Sequence, residues 1–245
     1  MRAVMLAAGV GNRLGELGER PKSLLTFGGL TLLQRHLANL AANGITQLTI
    51  CVGYCAEQIE AHVANAPLKV ECVLNERYRR GSVVSLWAVR EALACGDDVL
   101  LMDADVLCAP RLLTRLVQSP IRNCLLFDED FVPGDEPVKI CVANQQIVEF
   151  RKKPAPEIRF DAWGESVGFF KFEPACAQAL AEHCAHYIDR DRLDEPYEEA
   201  LRDLIHARTH RLGFEMVAGL PWLEIDFPED IARARRDPPP IGSRS

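Results

Sequence analysis

Short apolar blocks run along this chain, separated by turn residues, and their spacing switches between strand-like and helix-like. Ala3 to Ala8 is a continuous apolar run, too short to cross a membrane, and reads as a buried strand. A glycine turn, Gly9-Val10-Gly11-Asn12-Arg13, follows it. Leu32, Leu33, His36, Leu37 and Leu40 then recur at helical spacing behind Thr31, which predicts a helix capped by Thr31 and ended at Gly44. Gln47 to Gly53 and Lys69 to Leu74 read as strands, with a helix over Ala56 to Asn65 between them. Such alternation predicts an α/β fold with a mostly parallel sheet.

A second helix is predicted over residues 82–96, with Ser82 as its N-cap. Asp98 to Met102 is the next buried strand, and it ends at Asp103-Ala104-Asp105. From Asn123 the pattern changes to short strands in succession: Cys124 to Phe127, Val138 to Val142, Ile147 to Phe150 and Ser166 to Phe172. Those predict an antiparallel or mixed region. Helices over Pro174 to His186 and Pro196 to Arg208 follow, then short strands at Gly213 to Val217 and Leu223 to Ile225. Pro228 to Arg236 reads as a last helix, with Pro228 in its first turn. The Pro-rich segment 237–245 is expected to be disordered. No linker interrupts 1–236, so one domain is expected, with a sub-domain boundary near residue 123.

Composition narrows the function classes. A length of 245 residues suffices to bury a core without disulfide or metal staples. The net charge of −7 and the lack of a Lys/Arg block argue against nucleic-acid binding. A polyanionic ligand must therefore be met by a local cationic site. The nine cysteines are scattered, most of them in apolar runs, and none forms a C-x-x-C pair. They read as buried free thiols in a reducing cytoplasm. No membrane-spanning run or signal-peptide pattern is present in the sequence.

Four groups of residues carry candidate chemistry. Backbone N–H groups of the glycine turn, with Arg13 and then Lys22 after Pro21, offer the donors and cations that a triphosphate needs. The alternative is a tight surface turn with solvated charges. Asp103 and Asp105 stand at the carboxyl end of a buried strand, where ligands bind in open α/β sheets. Glu224 and Asp226 alternate along a strand and share one face, between Leu223, Ile225 and Phe227. Two such carboxylates repel unless a cation neutralises them. Lys139, between Val138 and Ile140, is costly to bury unless it faces an anion. Asp128-Glu129-Asp130 and the acids Glu195, Glu198 and Glu199 lie beside aromatic residues. They are either solvated faces or a cradle for an ammonium group, with Trp163, Tyr197 or Trp222 as walls.

The string Leu6-Ala7-Ala8-Gly9-x-Gly11-x-Arg13-Leu14, followed by Pro21-Lys22-Ser23-Leu24-Leu25, resembles the signature of the sugar-phosphate and alcohol-phosphate nucleotidylyltransferases. It is neither a Walker A loop nor a Rossmann fingerprint. The string W-x-E-I-D-x-x-E-D from Trp222 to Asp230 resembles the C-terminal metal motif of the phosphocholine cytidylyltransferase branch, as does the segment Asn75 to Leu86. That segment departs from the branch at Gly81-Ser82-Val83-Val84, where the branch often has asparagine.

The resemblance spans nearly the whole of 1–236 and implies a GT-A-like, Rossmann-like α/β fold with a small lid. It implies a nucleotide-binding half (1–122) and an acceptor-binding half (123–236). The implied reaction moves a nucleotidyl group from an NTP, CTP first, to a small phosphorylated alcohol or phosphonate and releases pyrophosphate. Phosphocholine or 2-aminoethylphosphonate are the implied acceptors. The implied catalytic residues are Arg13, Lys22 and Lys139. The nucleotide would meet Leu6, Ala7, Ala8, Gly9, Gly11, Arg13, Lys22, Gly81, Ser82, Ser85 and Asp103. The acceptor would meet Asp128, Lys139, Glu165, Tyr197 and Trp222. Mg²⁺ would be held by Asp105, Glu224 and Asp226, a donor set that suits it. Rivals are a nucleotidylyltransferase with another NTP, making a nucleotide sugar or a CDP-polyol, and a silent nucleotide-sensing domain. No nucleic-acid partner and no membrane insertion are implied, the expected location is cytoplasmic, and a homodimer is left open.

Overall fold

The computed structural model describes residues 1–236 and 239, with side chains at all of these except 16–19. The expectation of a disordered 237–245 segment falls, apart from Pro239, outside the described residues. Four strands build the parallel part of the sheet in the order Lys69–Leu74, Gln47–Val52, Arg2–Ala7, Val99–Asp103. These are the apolar runs expected to be buried. Val4, Leu101 and Ile50 are 0 % exposed, because helices cover both faces.

The sheet changes direction at Ala162–Phe172, a long strand antiparallel to Val99–Asp103. That strand also pairs antiparallel with Lys139–Ala143 and with Cys124–Asp128. Gln146–Arg151 forms the far edge. Gly213–Met216 adds to Cys124–Asp128 in parallel. The expected mixed region is therefore present.

Side chains alternate across the sheet into two apolar layers. Val4, Leu101, Phe170 and Phe172 pack with the helices Ser82–Ala88, Pro174–Asp189 and Tyr197–Ala207. Met5, Ile50, Met102 and Phe169 pack with the helices Leu32–Ala42 and Pro110–Gln118. Leu32–Ala42 starts with a full capping box. Thr31 accepts from the Gln34 N–H, and the Gln34 side chain accepts from the Thr31 N–H.

Two local expectations are corrected. The helix predicted over 82–96 is interrupted at Val89, whose backbone leaves the helical region, giving Ser82–Ala88 and Arg90–Leu93. Ser82 is the first helical residue, not the cap. Gly81 holds the cap position, and the Ser82 hydroxyl accepts from the Tyr197 N–H at 2.8 Å. Among the described residues no helix is long and apolar enough to cross a membrane.

Candidate active site

Register places the chemistry. Leu6 lies beside Asp103 on one side and Cys51 on the other, so the glycine loop and the Asp103–Asp105 turn leave the sheet side by side. The Ala104 N–H donates to the Leu6 carbonyl and locks the two exits together. Farther along, Trp222–Glu224 pairs antiparallel with Val106–Cys108, with Glu224 opposite Val106. The Ile225 N–H donates to the Asp105 carbonyl at 3.0 Å. A short ladder thus carries the C-terminal acid pair to Asp105.

Asp105, Glu224 and Asp226 each present an oxygen within 4.8 Å of the others. Glu224 is open to the cleft yet closely surrounded by protein. That enclosure, with repulsion from Asp105 and Asp226, raises its carboxyl to about 8. Enclosure and Asp105 likewise raise Asp103 well above the carboxylate range. Such crowding is what a divalent cation relieves, and three carboxylates are hard oxygen donors of the kind Mg²⁺ takes.

Two cations reach into the cluster. Gly11 is left-handed (φ +69°), and a Cβ there would press on the Lys22 chain at 3.3 Å, so glycine lets Lys22 lie across the loop. Lys22 Nζ donates to Asp105 at 3.0 Å and to Asp226 at 2.5 Å. Burial works against its charge, but Asp105 and Asp226 outweigh burial and hold the ammonium above the usual lysine range. Arg13 donates to Asp226 at 3.1 Å and to Glu136 at 3.0 Å, with its guanidinium over the Phe227 ring.

Two cavities meet at this cluster. One, of about 260 Å³, is lined by Leu6, Ala7, Gly9, Gly11, Arg13, Lys22 and Asp105. The other, of about 520 Å³, is lined by Asp128, Glu165, Trp222 and Glu224. Asp226 belongs to both. The larger one is strongly acidic, with Asp130, Glu136 and Asp230 also on its wall and Arg233 as its basic side chain.

Residues 3–191 match the family model of the MobA-like NTP transferase domain. The chain belongs to that family. This NTP transferase domain is 28% identical over 94% of its length to the bifunctional IPC transferase and DIPP synthase of Rubrobacter xylanophilus. It is 27% identical over 98% of its length to the CMP-5'-(3-aminopropyl)phosphonate synthase of Streptomyces rubellomurinus. The chain spans 50% of the first relative and 39% of the second. Its fold matches that of the CTP:phosphocholine cytidylyltransferase of Streptococcus pneumoniae, with a TM-score of 0.77, 21% identity, and 96% and 97% of the two chains covered. The GT-A-like, Rossmann-like nucleotidyltransferase fold is thereby established.

Several expected site residues of the NTP transferase domain lie elsewhere. Ala8 is buried, and its carbonyl accepts from the Tyr54 N–H. Ser85 is buried and accepts from Asn75 Nδ2 at 3.0 Å. Gly81 admits a neighbouring segment: a Cβ there would lie 2.2 Å from the Glu195 carbonyl. None of these three lines the cavity beside Lys22 and Asp105.

The ammonium cradle is divided. Asp128 lines the larger cavity but accepts from Trp222 Nε1 at 2.6 Å and from the Asp130 N–H. Glu195 pairs with Arg192, outside that cavity. Tyr197 is 5 % exposed, and its hydroxyl donates to Asp103 at 2.7 Å, so it forms no wall of the larger cavity. Trp163 stacks on Phe160 at another cleft.

Lys139 stands apart from the carboxylate cluster. Its ammonium donates to the carbonyls of Gly134, Pro137 and Lys152, which uses all three donors. It joins two loops, and this is why the mid-strand lysine is tolerated. Lys139→Met is expected to lower stability by about 1–3 kcal/mol, the cost of stranded buried polar groups. Thermal denaturation beside kcat for pyrophosphate release checks this: kcat stays within a few-fold while Tm falls.

Two further residues shape the cluster, and of these Glu136 carried no sequence signal of its own. Glu136 comes from a Gly/Pro loop and receives both Arg13 and Lys152. Asp230 accepts from the Asp226 and Phe227 N–H groups and holds the turn at Asp226. Asp230 closes the W-x-E-I-D-x-x-E-D string, and its place as the third helical residue, where a side chain can reach back to N–H groups ahead of the helix, is the signal that could have found this role.

Proposed function

We propose that this domain transfers CMP from CTP to a small phosphorylated alcohol or phosphonate bearing an amine, releasing pyrophosphate. The observation that carries the reading is the junction itself. A cation-bearing glycine loop and an acidic cavity meet at one carboxylate cluster. The cytidine donor and amine-bearing acceptor are supported by the activities of the relatives, among them a CMP-5'-(3-aminopropyl)phosphonate synthase. The acidic wall of the larger cavity supports a cationic acceptor.

In this reading the triphosphate lies along the glycine loop, with Arg13 and Lys22 against its oxygens. An oxygen of the acceptor phosphate attacks the α-phosphorus in line. The new P–O bond forms as the bond to the β-phosphate oxygen breaks, and pyrophosphate leaves. The attacking group is already anionic, so no general base is required. The work of the chain is alignment and charge neutralisation. Asp105, Glu224 and Asp226 would hold Mg²⁺, which supplies Lewis-acid neutralisation of the phosphates. Trp222 is fixed by Asp128, and Glu165 offers a carboxylate beside it for the amine.

Pyrophosphate release across four NTPs and a panel of acceptors tests the proposal. CTP is expected to exceed UTP, ATP and GTP by about a hundredfold in kcat/KM, the scale set by unpaired buried polar groups. Comparable use of UTP would favour a nucleotide-sugar enzyme, and no release with any NTP would favour a silent sensor. Each amine acceptor is expected to outperform its hydroxyl analogue by about fivefold or more.

The amine preference should also depend on pH. Burial and Asp128 raise the Glu165 carboxyl to about 7. Below that pH it is neutral and attracts an amine less. The amine-to-hydroxyl ratio of kcat/KM is therefore expected to rise as pH rises through 7. A flat ratio would remove Glu165 from the acceptor site.

A further inference from the structure

Tyr197 makes two bonds at opposite ends of one residue. Its backbone N–H donates to Ser82 Oγ at the start of the helix Ser82–Ala88. Its hydroxyl donates to Asp103 Oδ2 at 2.7 Å, at the end of the strand that leads to Asp105. Both ends are tightly enclosed. On the helix side, the Gly81 N–H donates to the Leu193 carbonyl, the Val83 N–H donates to the Glu195 carbonyl, and Arg80 pairs with Asp194 through two bonds. On the strand side, the Asp103 carboxyl group lies against the backbone of Gly168, where a Cβ would come within 2.3 Å of Oδ2. Gly168 is also left-handed, at φ +79°. The phenol and the bare glycine therefore leave Asp103 one place to sit.

Asp103 is two residues from Asp105, and the Ala104 N–H between them is bonded to Leu6. Holding the Asp103 side chain thus holds the peptide that aims Asp105 at Glu224 and Asp226. We propose that Tyr197 is a positioning residue: through Asp103 it sets the Asp105 carboxylate for divalent-cation binding, and it ties that strand end to the helix Ser82–Ala88. This inference rests on the reading that Asp105, Glu224 and Asp226 hold the metal. It assigns Tyr197 to metal-site geometry and not to the acceptor.

The test uses Mn²⁺ alone as the probe, by EPR titration of the nucleotide-free protein, beside Mg²⁺ half-saturation and acceptor KM in the pyrophosphate assay. Tyr197→Phe removes only the hydroxyl. It is expected to weaken Mn²⁺ binding and to raise the Mg²⁺ half-saturation by about tenfold, the scale of one lost buried hydrogen bond. Acceptor KM stays within about twofold. Asp103→Leu breaks the same contact from the other end and covers the case in which Tyr197→Phe fails to fold. Asp103→Asn keeps a carbonyl acceptor for the phenol and is expected to retain near-parent Mn²⁺ affinity.

Three results would overturn the inference. Unchanged Mn²⁺ affinity in Tyr197→Phe with a lower Tm would make the contact structural only. A raised acceptor KM with unchanged metal dependence would return Tyr197 to the acceptor. Equal losses in Asp103→Asn and Asp103→Leu would show that the carboxyl group itself, not the contact with Tyr197, sets the affinity. Failure of the parent protein to bind Mn²⁺ is a separate outcome: it removes the metal reading itself, and the inference with it.

Discussion

Asp226→Asn is expected to lower kcat by on the order of a thousandfold or more while leaving the protein folded. Both Asp226 oxygens are engaged, one by Lys22 and the other by Arg13, and the residue borders both cavities. Asparagine keeps the shape but turns an amide NH₂ toward one of two cations. It also leaves the cluster with two carboxylates, Asp105 and Glu224. The backbone at this point is held independently by Asp230, so the fold does not depend on the lost charge. Circular dichroism and Tm check folding, and pyrophosphate release at saturating Mg²⁺ checks turnover. EDTA is expected to abolish the activity of the parent protein, and added Mg²⁺ to restore it. A fully active Asp226→Asn variant would end the assignment of a metal to this cluster.

Lys22→Met carries the second large effect, and its two readouts move in opposite directions. Lys22 is the cation shared by Asp105 and Asp226, and it lines the cavity along the glycine loop that the proposed reading gives to the triphosphate. Losing a positioned cation that meets developing negative charge is expected to lower kcat by about a hundred- to a thousandfold. Without nucleotide, however, the Lys22 ammonium occupies the same oxygens that a divalent cation needs. Lys22→Met is therefore expected to bind Mn²⁺ more tightly than the parent, by EPR titration. In EDTA it should melt earlier, because three crowded carboxylates lose their neutralising partner. Mg²⁺ should restore the Tm by mass action. Normal kcat with only a raised KM for the nucleotide would mean that Lys22 contributes uniform binding. Weaker Mn²⁺ binding would mean that Lys22 shapes the site and does not compete for it.

Much of the fold was legible because its signals are local. The Thr31 cap, the apolar strands and the glycine turn each depend on residues a few positions apart, and each forms where the pattern placed it. The break at Val89 was not legible, since no Gly or Pro interrupts the helical pattern there. Likewise Ser82 looked like a cap by its local chemistry. Its hydroxyl instead serves an N–H 115 positions away, and local capping rules do not extend that far.

The chemistry divides along the same line. The amino-acid sequence by itself determined the family, the glycine loop with Arg13 and Lys22, and the two acidic motifs at Asp105 and Glu224–Asp226, because each is a short string of fixed spacing. The tertiary structure alone decided which polar groups spend their bonds on one another. Lys139 is used up by three loop carbonyls, Tyr197 turns to Asp103, and Asp128 turns to Trp222. Lys22 and Asp226 are 204 positions apart and meet only because a two-stranded ladder brings the chain back beside Asp105. A buried donor takes the acceptor that the fold sets at about 3 Å, and strand register fixes that choice.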